Sequence, residues 1–331
     1  MNNSYIIAEV GNTHEGSLGL AKKIAESASN CGADAIKFQT HIFSAESTKR
    51  APNPSYFSDE TREEYFKRTS FTKDQWVELR LFIEDYLNKD FISSPFSLEA
   101  VDLLESVGIK KYKIPSGEIT NIPLLQKVAK TGKEVIISSG MSTIEDLDYA
   151  VSFFNKDKLT LLQCTSEYPC PPEKVGLNLI EEFQKRYQIP IGFSDHTDSM
   201  SIPIAASAMG AKIIEKHFTL SKQMYGSDAK NSCEPNEFKF LVDEIRKLDK
   251  ALTFNLDKNH LDKNIVEMRY TFQKSIVASK DLKKGKKLEL KDLAFKKPGD
   301  GLAPKLYKSI IGKKTKIDFK KDDLIIMEEL E

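Results

Sequence analysis

The sequence has few of the features that mark membrane, secreted or nucleic-acid-binding proteins. None of its apolar runs approaches the roughly 18 residues of a membrane span, and the N-terminus lacks the basic and apolar segments of a secretory signal. Lys and Arg number 49, and Asp and Glu also number 49, so the basic excess of a nucleic-acid binder is missing. Only four cysteines are scattered over 331 residues, which indicates reduced thiols. We therefore expect a globular cytoplasmic protein with neither a nucleic-acid nor a membrane partner.

Several common catalytic and cofactor motifs are missing as well. The chain has no P-loop, no GxGxxG after its first strand-like segment and no GxSxG, which argues against nucleoside triphosphates, dinucleotides and serine hydrolysis. Cys164 and Cys170 have no matching CxxC elsewhere, so a structural zinc site is not expected. Apolar residues make up 40% of the chain, enough for a packed core. An enzyme of another class is the remaining expectation.

Eight short apolar segments alternate with segments of helical period, and this pattern predicts an α/β fold, a (β/α)8 TIM barrel. The apolar segments show little alternation with polar residues, which is typical of buried parallel strands. The predicted strands are 5–10, 35–40, 91–96, 111–116, 134–139, 159–165, 190–195 and 212–218. We predict a barrel over 1–252, a linker over 253–271 and a small separate domain over 272–331. The long interval 41–72 is expected to form a lid or a wall of the site.

Two lysines and a set of serines fall at the C-terminal ends of these strands, where barrels of this type place their active sites. Lys37 and Lys113 interrupt apolar strands, where an unpaired ammonium group would be costly. Together with nearby hydroxyls they suit a phosphate or a phosphorylated carboxylate. The serines are Ser94, Ser116, Ser138, Ser166 and Ser194. Each serine taken alone is equally compatible with an ordinary turn.

Two histidines and three carboxylates complete the candidate set. His196 and His217 fall on adjacent predicted strands, so they could converge on one divalent cation; alternatively, one is a general acid or base and the other a core residue. Glu9, Glu118 and Asp228 could orient a hydroxyl or move a proton. Glu118 could instead cap a helix, and Asp228 could be a solvated loop residue.

Other titratable residues are interpreted as structural. Glu215 and Lys216 are adjacent in the last predicted strand and could form a structural pair. His41 and His260 fall in predicted loops, so we expect both on the solvated surface.

Eight motifs in one order resemble those of the sialic acid synthase family. They are IIAEVGNTHEGSLGLAKK, AIKFQTH, FISSPFS, KYKIPSGEITNIPLL, ISSGMST, CTSEYPCP, GFSDHT and IIEKHFTL. The C-terminal stretches SIVASKDLKKG and LELKDLAFKKPGDG resemble the family's antifreeze-like SAF domain, a β-clip fold. The resemblance covers the whole chain. It implies a metal-dependent condensation of phosphoenolpyruvate with an N-acylated aldose and water, which releases phosphate by C–O cleavage.

The resemblance also implies roles for individual residues. Positions that hold phosphoenolpyruvate are matched by Lys37, Lys113, Ser94, Ser116, Ser138, Ser166 and Ser194. The ligands of a divalent metal, most often Mn²⁺ with Mg²⁺ or Co²⁺ as alternatives, are matched by His196 and His217. Positions that contact the acceptor sugar or its aldehyde are matched by Glu9, Gln39, Tyr168 and Asp228. Glu118 matches a carboxylate near the reacting carbons, and with Glu9, Lys37 and Lys113 it forms the expected catalytic set.

Two departures from the family pattern concern the acceptor side. Lys297 stands where the family has an arginine in a KRPG-type motif, and it lacks the planar bidentate fork of arginine. GSDAKNS at 226–232 stands where many members have GPDH. In the family, the small domain of one subunit covers the barrel of its partner, so the resemblance implies a domain-swapped homodimer.

The resemblance favours N-acetylmannosamine as the acceptor, with N-acetylneuraminate as the product. The alternative acceptor is a 2,4-diacetamido-2,4,6-trideoxyhexose, which would give legionaminic or pseudaminic acid. Two rivals of other kinds are a Schiff-base aldolase that uses Lys113 or Lys37 and a non-catalytic sugar-binding protein.

Overall fold

The computed structural model describes residues 4–53 and 60–331 and divides the chain into two compact units. Unit 1 spans Met1–Phe254 and unit 2 spans Asn255–Glu331.

Unit 1 is a closed barrel of eight parallel strands with helices outside it, which confirms the predicted TIM barrel. The strands are β1 Tyr5–Gly11, β2 Ala35–Thr40, β3 Asp90–Pro95, β4 Lys111–Ile114, β5 Glu134–Ser138, β6 Leu159–Cys164, β7 Ile191–Asp195 and β8 Ile213–His217. β8 pairs with β1 and closes the ring.

The helices of unit 1 follow the strands in alternation. They are α1 Leu18–Asn30, α2 Phe43–Glu46, α3 Arg62–Thr69, α4 Lys73–Leu81, α5 Leu98–Val107, α6 Ile122–Lys130, α7 Ile144–Val151, α8 Asn178–Tyr187, α9 Ser201–Ala208 and α10 Pro235–Thr253. Side chains of Ser17, Ser97 and Thr143 accept hydrogen bonds from the first turns of α1, α5 and α7, which satisfies backbone N–H groups that have no partner within the helix. Over the two described ranges, no helix is long and apolar enough to cross a membrane.

The two-residue period of the strands places an apolar layer inside the barrel, with a polar layer directly above it. The inner apolar layer is formed by Ile7, Ala35, Ile92, Ile136, Leu162 and Ile213. Two residues later on the same strands come Glu9, Lys37, Ser94, Ser138, Cys164 and Glu215. The alternate residues face outward and pack against the helices. The polar layer therefore lies on the closed apolar floor of the barrel, at the C-terminal ends of the strands.

Gly192 on β7 allows the strands that carry the inner apolar layer to pack closely together. A Cβ at this position would lie 2.4 Å from Leu162 Cδ2 and 2.6 Å from the carbonyl oxygen of Ile213. Only a residue without a side chain fits between these neighbouring strands.

The long segment after β2 carries α2 and α3. Thr61 caps α3, and Glu64 completes a capping box with it. Residues 54–59 of the predicted lid lie outside the described residues.

Unit 2 has its own small apolar core, which includes Ile276, Leu288, Ile310 and Ile325. Its regular elements are α11 Lys263–Phe272, β9 Ser275–Ala278, β10 Leu293–Lys296 and α12 Tyr307–Ile310, and β9 and β10 are antiparallel. All but the last residue of the helix α11 lies in the range 253–271, which the sequence predicts to be a linker. Asp262 caps this helix through the backbone N–H of Ile265, a local signal that outweighs the polar character of the segment.

Candidate active site

A cavity of about 530 Å³ opens at the C-terminal end of the barrel, as expected for this architecture. Its lining includes every sequence-predicted site residue except Lys297. These residues come from all eight strands or from the segments that follow them, because the C-terminal ends of parallel strands meet at one end of a barrel. The residues thus brought together are Glu9, Lys37, Gln39, Ser94, Lys113, Ser116, Glu118, Ser138, Ser166, Tyr168, Ser194, His196, His217 and Asp228.

Four charged side chains form a buried cluster on the cavity floor. Lys37 Nζ lies 2.8 Å from Glu9 Oε2 and 3.7 Å from Glu215 Oε2. Lys113 Nζ donates to Glu215 Oε1 at 3.0 Å, and Ser194 Oγ donates to the same oxygen at 2.9 Å. No side chain of the four ions is more than 6% exposed. The two ammonium groups are therefore each compensated within the barrel.

Glu215 is a site residue that the sequence interpretation missed, and its assignment to a pair with Lys216 is wrong. Consecutive strand residues point to opposite faces, so Lys216 points outward and forms an ion pair with Asp195. Glu215 points inward with His217. Residues two apart on a strand point to the same face. The position of Glu215 two residues before His217 is therefore the signal that could have identified Glu215 as a cavity residue.

The two lysines have different electrostatic surroundings. Burial disfavours both ammonium ions, but the carboxylates of Glu215 and Glu9 outweigh it at Lys37 and raise the pKa of that group. At Lys113 burial dominates and lowers the pKa, since Glu215 only partly offsets it and Lys37 adds repulsion. The carboxylate of Glu215 has a lowered pKa because the two lysines outweigh its burial. Lys113 is thus the less compensated cation, and an anion would stabilise it most.

Hydroxyl groups surround this buried cluster of two lysines and two glutamates. The Oγ atoms of Ser94 and Ser138 are buried and have no hydrogen-bond partner among the described residues. The backbone N–H of Gly140 donates to Ser116 Oγ at 3.0 Å, and a Cβ on Gly140 would lie 2.3 Å from Ser166 Oγ. Buried polar groups without partners are uncommon in folded proteins. The unused donors and the lysines together fit an anionic ligand with several oxygens.

His196 and His217 face each other across the cavity, with ring centroids 5.7 Å apart. His196 Nδ1 lies 2.8 Å from the carbonyl oxygen of Thr165; since that oxygen can only accept, Nδ1 carries the proton and Nε2 has a free lone pair. His217 Nδ1 is buried and finds no partner in the described part of the chain. Burial lowers the pKa of both imidazoles, which favours the neutral form that ligates metals.

This pair of imidazoles fits a divalent cation. A ligating histidine usually donates its second ring N–H to a carbonyl or carboxylate, as His196 does. Among residues 4–53 and 60–331, no group of three or more His, Cys, Asp or Glu side chains is arranged to hold a metal ion. With His196 and His217 as the expected ligands, the protein would offer two nitrogen atoms and leave other positions to water or substrate.

Carboxylates occupy the side of the cavity that the resemblance assigns to the acceptor. Gln39 Nε2 donates to Glu9 Oε1 at 2.8 Å. Asp228 Oδ2 accepts from the backbone N–H of Asn12 at 3.0 Å, so Asp228 is held in place and is not a freely solvated residue. Gly11 has a φ of +55°, and a Cβ there would lie 2.5 Å from Asp228 Oδ2. A side chain at position 11 would displace this carboxylate.

Glu118 lies beside the anion site in the turn after β4. Asn121 Nδ2 donates to Glu118 Oε2 at 2.7 Å, and the cap of α6 is provided by Asn121. Burial raises the pKa of the Glu118 carboxyl, and the hydrogen bond from Asn121 partly opposes it. Glu118 is thus a half-buried carboxyl open to the cavity, and the cap of the helix is Asn121 instead.

The comparisons with known proteins agree with this geometry. The NeuB family model matches residues 24–256, and the SAF domain model matches residues 273–331. The chain belongs to the NeuB family. It is a phosphoenolpyruvate-condensing nonulosonic acid synthase, and synthases of this family generally use a divalent metal ion.

Three relatives with different printed names cover most of the chain. An N,N′-diacetyllegionaminic acid synthase of Campylobacter jejuni is 40% identical over 98% of this chain and 99% of its own length. The human N-acetylneuraminate-9-phosphate synthase is 35% identical over 98% of this chain and 92% of its own. A crystal structure of N-acetylneuraminic acid synthetase from Leptospira borgpetersenii serovar Hardjo-bovis is 33% identical, with a TM-score of 0.69, over 82% of this chain and 93% of that one.

Three further positions of this NeuB-family chain, His41, Lys297 and His260, complete the comparison with the expectations from sequence. His41 was expected on the solvated surface, but it lines the cavity, and its side chain is only 7% exposed; aromatic rings from distant parts of the sequence bury it. Lys297 lies in unit 2, where its Nζ is 5.0 Å from the ring centroid of Phe272. His260 agrees with expectation, since its exposed side chain pairs with Asp257 at 2.5 Å.

We expect Glu215→Gln to destabilise the barrel and to abolish turnover. The change leaves Lys37 and Lys113 with Glu9 as their single buried counter-charge, and breaking a buried pair costs about 3–5 kcal/mol. Urea unfolding and phosphate release from phosphoenolpyruvate measure the two effects. Glu134→Gln is the matched control, because Glu134 pairs with Lys111 at 3.0 Å but is largely exposed, and it should change neither quantity. Equal effects of the two changes would contradict the role of the cluster.

Proposed function

We propose that the acceptor is 2,4-diacetamido-2,4,6-trideoxymannose and that the product is N,N′-diacetyllegionaminic acid. The observation that carries this proposal is the 40% identity to the Campylobacter legionaminic acid synthase, against 35% and 33% for the human and Leptospira proteins named for sialic acid synthesis. N-Acetylmannosamine, which the sequence resemblance favours, therefore becomes the second candidate. The apolar side chains of Phe66, Phe96 and Met141 in the cavity lining suit the methyl group of a 6-deoxy sugar.

Phosphoenolpyruvate binds on the cationic floor in this proposal. Lys37 and Lys113 attract its phosphate and carboxylate groups, and the unpaired hydroxyls of Ser94 and Ser138 donate to their oxygens. Ser116, Ser166 and Ser194 lie in the same lining. Because the floor is closed and buried, these charges act at low dielectric and hold the ligand in one orientation.

His196 and His217 would hold the divalent metal, with Mn²⁺ as the first candidate and Mg²⁺ or Co²⁺ as alternatives. When bound there, the metal supplies Lewis-acid polarisation of the acceptor's aldehyde carbonyl. The ring of Tyr168 lies 4.1 Å from that of His196 and 6.0 Å from that of His217, so it limits access of water to the imidazoles.

The acceptor is oriented by the carboxylate side of the cavity. Gln39 and Asp228 are fixed by their hydrogen bonds and present polar atoms to sugar hydroxyl and amide groups. Glu9 is held by both Lys37 and Gln39, which fixes the position of its carboxyl group near the reacting aldehyde. Holding the two substrates in one cavity removes most of the entropic cost of bringing them together.

Glu118 is the group proposed to handle the proton of the attacking water. C3 of phosphoenolpyruvate bonds to the aldehyde carbon, and the aldehyde oxygen takes up a proton and becomes a hydroxyl group. Water adds at C2 and gives up one proton. The C2–O bond to phosphate then breaks as the new C2 hydroxyl loses its proton, which leaves the C2 ketone and hydrogen phosphate. The half-buried carboxyl of Glu118, whose pKa is raised by burial, is suited to accept and return a proton.

Phosphate release with matched acceptors tests the proposed function. We expect turnover with 2,4-diacetamido-2,4,6-trideoxymannose and Mn²⁺, much slower turnover with N-acetylmannosamine or the pseudaminic acid precursor, and loss of activity in EDTA. Faster turnover with N-acetylmannosamine would overturn the acceptor assignment. Activity that survives EDTA, together with a lysine trapped by borohydride, would instead support the Schiff-base rival. Binding of the sugar without turnover would support the non-catalytic rival.

We also propose that the enzyme is a homodimer in which unit 2 of one copy covers the barrel opening of the other. The two units have opposite net charge: Asn255–Glu331 contains 19 Lys and Arg against 13 Asp and Glu, and Met1–Phe254 contains 30 against 36. The helix α11 also exposes apolar residues that are 45–56% accessible, and an exposed apolar surface of this kind favours an interface. They are Ile265, Val266, Met268, Tyr270 and Phe272.

Light scattering tests the dimer. We expect twice the 37.4 kDa mass of the chain, and we expect Met268→Glu to lower this mass and the activity together, because it places a charge in the proposed apolar interface. Thr271→Glu adds the same charge to α11 at a position outside the set of exposed apolar residues, so it should leave both the mass and the activity unchanged. A fully active monomer would contradict the proposal.

A further inference from the structure

A chain of hydrogen bonds runs from the charged cluster to the segment after β2. Glu9 Oε1 accepts from Gln39 Nε2 at 2.8 Å, and Gln39 Oε1 lies 3.0 Å from His41 Nε2. His41 Nδ1 lies 2.8 Å from Glu46 Oε1, and the other oxygen of Glu46 accepts from the backbone N–H of Ile42 at 3.1 Å. Four side chains thus connect the cavity floor to α2.

The donor and acceptor of each hydrogen bond in this series can be assigned by starting from Glu9. The carboxylate of Glu9 pairs with Lys37 and accepts, so the NH2 group of Gln39 faces it. The carbonyl oxygen of Gln39 then faces His41, so Nε2 is the donor to it. His41 Nδ1 lies against a carboxylate oxygen of Glu46, which holds the ring in this orientation. The orientation of the Gln39 amide therefore depends on a donor from His41.

Aromatic packing holds the imidazole in this position. The ring of His41 stacks between Phe66 on α3 and Phe96 after β3, at centroid distances of 3.9 and 4.0 Å. Gln39 and His41 line both the active-site cavity and a neighbouring cavity of about 650 Å³. The two side chains form part of the wall between these cavities.

We propose that His41, supported by Glu46, is a positioning residue that orients the amide of Gln39 and thereby forms the acceptor-binding side of the cavity. Without the donor from His41, the Gln39 carbonyl loses its partner and the amide can rotate away from Glu9. Of these four hydrogen-bonded side chains, only Glu9 contacts the proposed phosphoenolpyruvate site, through its ion pair with Lys37. The inference rests on the proposed acceptor-binding role of Gln39.

Two substitutions at His41 separate hydrogen bonding from stacking. His41→Phe keeps a planar ring between Phe66 and Phe96 but removes both N–H donors. His41→Gln loses the ring but has an amide N–H with a similar reach to Nε2. We expect the acceptor KM to rise about tenfold or more in His41→Phe and to be largely restored in His41→Gln, as expected when a buried carbonyl oxygen loses its hydrogen-bond donor. The KM for phosphoenolpyruvate should change less than about twofold in both, because its proposed contacts are elsewhere.

Glu46→Gln provides a second, milder test. Its amide has one acceptor oxygen, which cannot serve both His41 Nδ1 and the N–H of Ile42, so we expect a smaller rise in acceptor KM. Glu63→Gln is the matched control on α3, because Glu63 pairs with Lys67 at the surface; it should leave both KM values unchanged.

Crystal structures of the two His41 variants test the inference independently of turnover. The Gln39 amide should leave Glu9 in His41→Phe and remain hydrogen-bonded to it in His41→Gln. An unmoved Gln39 in His41→Phe, or a His41→Phe enzyme with better acceptor binding than His41→Gln, would overturn the positioning role. Failure of the proposed function would be recognised separately, as absence of turnover with every acceptor in the unaltered enzyme.

Discussion

The site depends on one constraint, the compensation of two lysines buried inside a barrel. Lys37 and Lys113 lie on neighbouring parts of the cavity floor, and an uncompensated ammonium group there would oppose folding. Glu9 and Glu215 compensate them from β1 and β8, the two strands that meet where the barrel closes. Because Glu215 serves both lysines, it couples closure of the barrel to the charge of the site. The two lysines and two glutamates together carry no net charge, yet Lys113 is less well compensated than Lys37.

The remainder of the site follows from this floor and from the pleat of the strands. An apolar layer below excludes water, and in the polar layer above the hydroxyls of Ser94 and Ser138 have no partner among the residues that the structure describes. One more step along β8 brings His217 above Glu215, and the loop after β7 brings His196 opposite it. The site is thus built in levels: the cations lie lowest, with the imidazoles above them, and the side that the acceptor is proposed to use is completed by the segment after β2. The levels share strands: β8 carries both Glu215 and His217, and β2 carries both Lys37 and Gln39.

The barrel and most of the site are predictable from sequence for a physical reason. Strand ends converge, so polar residues at the ends of apolar segments must meet, whatever the details of the loops. Glu215 was not found because adjacency to Lys216 suggested a pair, although strand parity separates them. His41 was not found because its burial depends on Phe66 and Phe96, which come close only in the folded chain. The helix α11 was missed because its cap is a local signal within a polar segment, and its apolar residues remain exposed.

The central claim is that the buried cluster, and Lys113 above all, creates the anion site. Calorimetric titration of phosphoenolpyruvate without acceptor, into Lys113→Met and Lys111→Met, tests it most directly. Lys111 lies on the same strand two residues earlier and pairs with Asp90 and Glu134 at 3.2 and 3.0 Å, so it controls for loss of a lysine on β4. The account predicts that Kd weakens about a hundredfold in Lys113→Met, the size expected for a lost buried charge contact, and stays nearly unchanged in Lys111→Met. Equal affinities in the two variants would contradict it.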